Sequence, residues 1–256
     1  MEFSPKNPAL FKSTVNALSE FLPKVLMNIS NSGIVFGGLE KDHVCYFDYK
    51  LSDSDCNFLK VPRPCKVGVD MKILYQTLMY VGIDDELTIA LGTGKTSNKL
   101  FIKYTNSRAN KKVVYEISTF EIDNKMEEIP DQEYEGIVKI KTADIFAAVK
   151  EVSIFDSETI TLHLDEDGLH ISAIGTVGNA IQTLENTDDR EMFMGDESVK
   201  STFSKSHLID VLKAGSAISP LVSLEYGKDI ALRSSFLFGT DSRLIVYIAP
   251  KYLNDD

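Results

Sequence analysis

Apolar and polar residues alternate through most of this chain. Runs at 34–39, 43–51, 66–70, 87–91, 99–104, 112–118, 136–141, 159–164, 169–174, 179–185, 197–203, 222–227, 230–238 and 243–248 are rich in Val, Ile, Tyr and Phe, and most keep a period of two. That pattern predicts strands with one buried face. Four stretches change to a helical period, near 9–22, 71–81, 142–155 and 205–216, with starts about a quarter of the chain apart.

The pattern also repeats. Leu10 and Phe11 open a helical stretch with Thr14, Leu18, Phe21 and Leu22; Ile145 and Phe146 open another with Val149 and Val152. Each is followed by an alternating strand (Val25, Met27, Ile29; Ile160, Leu162, Leu164) and then a glycine turn, at Gly33 and Gly168. Leu10 to Gly33 and Ile145 to Gly168 are both 23 residues. A second block obeys nearly the same offset: Val69, Leu74, Leu78 and Leu87 correspond to Phe203, Leu208, Leu212 and Leu221, each 134 residues on. Two blocks sharing one offset argue for duplicated units. The predicted fold is α+β: two tandem domains, each with two strand-rich units and two short helices laid on one sheet face. The domains run 1–118 and 136–256. The acidic, aperiodic segment 119–135, which contains Pro130, joins them.

Composition narrows the class. The chain has 256 residues, 43% hydrophobic, enough for such a pair of cores. No apolar run reaches the ~18 residues of a membrane helix, and the opening residues lack an apolar signal segment. Cys45, Cys56 and Cys65 form an odd, sparse set that fits reduced intracellular thiols. A net charge of −11 is opposite to that of a generic DNA-binding domain.

Enzyme and cofactor motifs fail one by one. Gly92-Thr-Gly94-Lys95-Thr96 lacks the earlier glycine of a phosphate loop, since Ile89 holds that place, and a strand rather than a helix follows; a hairpin turn is expected. Asp165-Glu-Asp167-Gly168 has His163 where a calcium loop needs its first acid, so it is a solvated turn. His43, His163, His170 and His207, with the three cysteines, never reach zinc-ligand spacing. Cys45 is read as a small packed residue. Asn28-Ile-Ser30 fits a glycosylation triplet but falls in a strand. No Ser-His-Asp or Cys-His set with a glycine elbow is present. No catalytic residue, metal or cofactor is therefore expected.

Four segments resemble one family in order and spacing: Ile29-Ser-Asn-Ser-Gly33; Ile129-Pro-Asp-Gln-Glu-Tyr134; Asp167-Gly-Leu-His-Ile-Ser-Ala173; and Tyr247-Ile-Ala-Pro-Lys251 with its acidic tail. They resemble the proliferating cell nuclear antigen, the sliding clamp of eukaryotes and their viruses. The resemblance implies two like domains, a hole lined by helices and a closed homotrimer around duplex DNA. Twelve helices set ~9 Å apart make a circle about 34 Å across. Removing one helix diameter of ~10 Å leaves roughly 24 Å, wider than a duplex on the order of 20 Å.

The resemblance also assigns residues. Lys12, Lys72, Lys150, Lys205 and Lys213 are the candidate DNA contacts; each reads equally well as a solvated helix face. Leu39, His43, Val44, Tyr46, Ile129, Pro130, Tyr247, Ala249 and Pro250 form the expected groove for short partner motifs, although Leu39, Val44 and Tyr247 also suit a core. Family positions that carry inward basic residues hold Ser13, Ser19, Gln76, Met79 and Ser206 here, and Glu166 replaces a modifiable lysine. The implied function is a DNA polymerase processivity factor that tethers replication and repair proteins, with a polymerase and a clamp loader as partners. The protein would be nuclear, or cytoplasmic for a virus replicating there. The alternative is a checkpoint or transcription-associated clamp subunit that binds without sliding; an enzyme comes third.

Overall fold

The computed structural model describes residues 1–106, 108–121, 129 and 132–252. The chain divides into two compact units. The first is Met1–Lys41, Asp48–Glu127 and Phe238–Arg243; the second is Asp42–Phe47, Glu128–Leu237 and Leu244–Asp256.

The first half of the chain runs β1 (Glu2–Pro5), α1 (Pro8–Ser19), β2 (Lys24–Ser30), β3 (Gly33–Leu39), β4 (Cys45–Ser52), β5 (Cys56–Lys60), β6 (Cys65–Asp70), α2 (Met71–Leu78), β7 (Glu86–Leu91), β8 (Lys99–Asn106) and β9 (Lys111–Ser118). One sheet has the order β5-β1-β7-β8-β9, which leaves β9 at an edge. Strand β2 pairs antiparallel with β3 on one side and β6 on the other. The 92–96 segment is a hairpin connection as expected, because β7 pairs antiparallel with β8 across it.

The second half runs β10 (Gly136–Lys141), α3 (Thr142–Val152), β11 (Thr159–Asp165), β12 (Gly168–Ile174), β13 (Asn179–Leu184), β14 (Glu191–Met194), β15 (Val199–Ser204), α4 (Lys205–Ser216), β16 (Leu221–Tyr226), β17 (Leu232–Phe238) and β18 (Ser242–Ile248). Here β13-β12-β11-β15 form one sheet with β13 at its edge, and β14-β10-β16-β17 run in order in another.

The helices form where local chemistry starts them and an apolar stripe holds them. The Asn7 side chain accepts the Leu10 N–H and Pro8 takes the first turn of α1; the Asp70 carboxylate accepts the Ile73 N–H at the start of α2. Buried positions recur at helical spacing: Phe11, Val15 and Leu18; Leu74 and Leu78; Ile145, Val149 and Val152; Leu208, Val211 and Leu212. Each such side chain contributes about 1.5–3 kcal/mol by leaving water. Within each unit the two helices pack against each other.

Helices α1, α2 and α3 stop three residues before their predicted ends. Leu22 and Val81 remain buried beyond α1 and α2, donating to the carbonyl of Leu18 and of Leu78 in tight closing turns. The apolar period outlasts the helix, and Pro23 forbids continuation of α1.

The repeat is visible in the backbone. Gly33 (φ 132°) opens β3 and Gly168 (φ 129°) opens β12. At each, a Cβ would collide with a backbone carbonyl, that of Leu51 or that of Leu184. Only glycine fits both the dihedral and the contact.

Candidate functional site

The five candidate lysines lie on or beside the four helices, but they are not equivalent. In the first unit Lys12 is half-buried on α1 and its Nζ donates to the Val81 carbonyl, which turns the charge back onto its own unit. Lys72 is exposed on α2, yet its neighbours there are apolar: Ile73, Met79 and Tyr80 are 46%, 45% and 68% exposed. In the second unit Lys150 and Lys213 are exposed in the last turns of α3 and α4, where the helix dipole favours a cation. The Lys150 ammonium sits 5.5 Å from the Phe146 ring centre. Lys205, at the start of α4, is half-buried.

Most of the expected partner groove falls in the second unit. The Tyr46 and Tyr247 rings lie 6.4 Å apart, Tyr46 buried and Tyr247 half-buried. Ala249 is exposed and its N–H donates to the Val44 carbonyl at 2.9 Å, joining the segment after β18 to the one before β4. Pro250 bridges Phe203 at the end of β15. His43 is exposed with φ 58°, a turn conformation. Ile129 is half-exposed, and Pro130 lies outside the described residues. Leu39 belongs to the first unit, exposed at the end of β3.

Sequence reasoning missed three residues beside Tyr247. Tyr134 is half-buried, and burial pushes its phenol up to about 12, with Tyr247 and Glu225 adding to the rise and Arg233 opposing it. Arg233 donates to Glu225 at 2.8 Å; burial disfavours its charge, but the Glu225 carboxylate more than offsets this. Tyr134 ended the quoted Ile129–Tyr134 segment, so a signal existed. Arg233 and Glu225 sit on neighbouring strands and carry no local motif.

Elsewhere, burial and hydrogen bonding fix the state of two cysteines and one aspartate. Burial raises the Cys56 thiol to about 11 and raises that of Cys65, both away from thiolate. Burial opposes ionisation of Asp55, but Ser242 Oγ and the backbone N–H groups of Asp241 and Thr240 donate to it and hold its carboxyl below the ordinary value. No helix among the described residues is long and apolar enough to cross a membrane.

Residues 1–128 match the N-terminal domain of proliferating cell nuclear antigen and residues 128–251 match its C-terminal domain. The chain belongs to the proliferating cell nuclear antigen family. It is 24% identical over 262 residues to the proliferating cell nuclear antigen of Chaetomium thermophilum, covering 100% of both chains. Its fold matches the crystal structure of that antigen from Entamoeba histolytica with a TM-score of 0.88 at 19% identity, over 98% of each chain. The two tandem domains, their strand-rich sheets and the four short helices are those of a sliding clamp.

Proposed function

We propose that this chain is a processivity clamp for DNA replication: three copies close head to tail into a ring around duplex DNA and hold a polymerase and other replication or repair proteins to it. The end-to-end family match carries the reading. Edge strands β9 and β13 supply the means, since each has a neighbouring strand on one side only among the described residues, and such edges seek a partner. A β9-to-β13 contact is heterologous, and repeating it closes a ring when the rotation fits. Residues 1–118 and 136–256 are the two clamp domains, joined by a connecting loop at 119–135. The protein acts as a tether, not as a catalyst, and works in the nucleus, or in the cytoplasm for a virus replicating there.

Partners dock at Tyr46, Val44, Tyr247, Ala249 and Pro250 with Ile129 and Pro130. A Gln-x-x-aliphatic-x-x-aromatic-aromatic peptide inserts its anchors there, each worth roughly 1.5–3 kcal/mol before ordering costs. DNA is held topologically, with shallow salt dependence from Lys150 and Lys213. Light scattering of the pure protein should give three times 28.5 kDa. Loaded clamp should stay on end-blocked DNA and slide off open linear DNA. A stable monomer at micromolar concentration, or equal retention on both DNAs, rejects the reading.

One observation favours a second reading, a clamp subunit that does not slide: the exposed surface of α2 and of the turn after it holds a single cation, Lys72, among Ile73, Met79 and Tyr80. Such a subunit would pair with different chains, and the same light-scattering measurement separates the two.

A further inference from the structure

A cleft in the first unit lies between the start of α1, β4 and the turn after β17. It has a volume of about 250 Å³, and Leu10, Leu51 and Phe238 give it apolar walls. Tyr49 belongs to the same lining, its ring stacked on Phe238 with centres 5.9 Å apart and 19° between the planes. Tyr49 is 1% exposed, and its hydroxyl has no hydrogen-bond partner among the described residues. A buried hydroxyl without a partner costs stability that a suitable acceptor would restore.

We propose that this cleft binds a small uncharged molecule with a ring for a body and a single acceptor oxygen, an aryl ketone or amide in class, whose oxygen accepts a hydrogen bond from Tyr49. Size, charge and polarity each narrow the ligand. An apolar cavity of ~150 Å³ holds benzene, so a volume of about 250 Å³ admits a ring with a short polar substituent. Lys6 and Asp55 both line the cleft, so a cationic ligand meets the ammonium and an anionic one meets the carboxylate. Both groups are already engaged: Lys6 Nζ donates to the Ser54 carbonyl at 2.7 Å, and Asp55 accepts from the Thr240 and Asp241 N–H groups and from Ser242 Oγ.

The Tyr49 hydroxyl is the polar group left to orient a ligand, and in pockets of this kind apolar walls supply affinity while a few placed polar groups supply orientation. Burial foremost, then the charges of Cys56 and Asp55, pushes the phenol above its ordinary value, so it stays protonated and offers a donor. The action of Asp55 on the phenol also sets the hydroxyl end on the Asp55 side, where the cleft lies. The cleft shares no residue with the partner groove, so the proposal stands apart from how a clamp would hold its partners.

The test is an NMR titration of the full chain with two isosteres, acetophenone, which carries the acceptor, and α-methylstyrene, which replaces the carbonyl by a methylene. In the wild type both should shift the methyl resonances of Leu10 and Leu51 saturably, with a Kd of about 1 mM or tighter. Tyr49→Phe removes only the unpartnered hydroxyl, and it should weaken acetophenone relative to α-methylstyrene by about three- to tenfold. Leu10→Trp, at a half-buried position of α1, should fill the cleft and abolish both shifts. Benzoate and benzylammonium should each bind about tenfold more weakly than acetophenone. Absence of a saturable shift in the wild type overturns the site without recourse to any variant. So does binding that survives Leu10→Trp, or a shift centred on Tyr46 and Tyr247. An affinity ratio unchanged in Tyr49→Phe overturns the hydroxyl as the recognition group, and benzoate binding as tightly as acetophenone overturns the uncharged class.

Discussion

In the first unit α1, α2 and the turn after α2 leave Asn16, Lys72, Ile73, Gln76, Met79 and Tyr80 to solvent, one cation among neutral and apolar groups; in the second, α3 and α4 turn out Lys150, Glu151, Asp210 and Lys213. The buried faces of the same helices are interchangeable in kind. Leu74 and Leu78 recur as Leu208 and Leu212, and Gly33 recurs as Gly168 with nearly the same φ. Packing and backbone geometry constrain the inward residues, because a lost methylene or an added Cβ is felt at once. The outward residues answer only to what the helices face, and there the two halves have parted.

The largest effects should therefore be equal between the halves. Leu74→Ala and Leu208→Ala remove equivalent side chains, 1% and 0% exposed. Each should cost about 2–5 kcal/mol in urea unfolding. A difference above about 2 kcal/mol between them would mean that the two cores relax differently and that the repeat is one of sequence only.

A second contrast lies between aspartates 134 residues apart. Asp55 is buried and accepts three hydrogen bonds from the 240–242 segment of its own unit. Asp189 is exposed and pairs with the exposed Lys141. Asp55→Asn should cost about 1.5–3 kcal/mol at pH 7, and Asp189→Asn close to nothing. Because folding lowers the Asp55 value, its stabilisation is complete above the ordinary carboxylate value of ~3.9 and is lost as pH falls through the lower, folded value. The gap between wild type and Asp55→Asn should thus close on acidification below about pH 4. A gap that persists unchanged would assign the effect to shape, not charge.

Next come the outward cations. Lys150→Glu with Lys213→Glu should lower retention on closed DNA about tenfold and flatten its salt dependence, each lost phosphate contact removing ~0.9 from the slope. Lys12→Glu with Lys72→Glu should do less, since Lys12 is already bonded to the Val81 carbonyl. Equal losses from both pairs would show that the outward difference between the halves has no functional weight.

Much of the fold was legible because alternation and the 134-to-135-residue offset both follow from burial. The missed strands are β1, β5 and β14. They are four or five residues long, too short for a period of two to stand out, and β1 ends in Pro5. The candidate lysines could be placed on helices from sequence, but whether a lysine reaches solvent could not. Lys12 meets a carbonyl 69 positions away. His163 and His170 are seven apart in sequence, and only the hairpin register sets them opposite each other.

The smallest effect separates two ion pairs that look alike. Lys141–Asp189 and Lys50–Asp241 both measure 3.0 Å. In the second-unit pair both side chains are more than half exposed, so water and salt screen the attraction and two mobile side chains must be ordered to make it. A double-mutant cycle there should return about 0–1 kcal/mol, vanishing at about 1 M salt, where screening acts within ~3 Å. In the first-unit pair Lys50 is only 24% exposed, and Asp241 also accepts from Ser52 Oγ at 3.3 Å. The hydrogen bond from Lys50 foremost holds the Asp241 carboxyl below its ordinary value. Lys50 is held by partial burial and Asp241, itself 66% exposed, by the Ser52 contact, so less ordering is required and the coupling should be larger and less sensitive to salt. Equal, salt-labile couplings would show that the Ser52 contact does not preorganise Asp241.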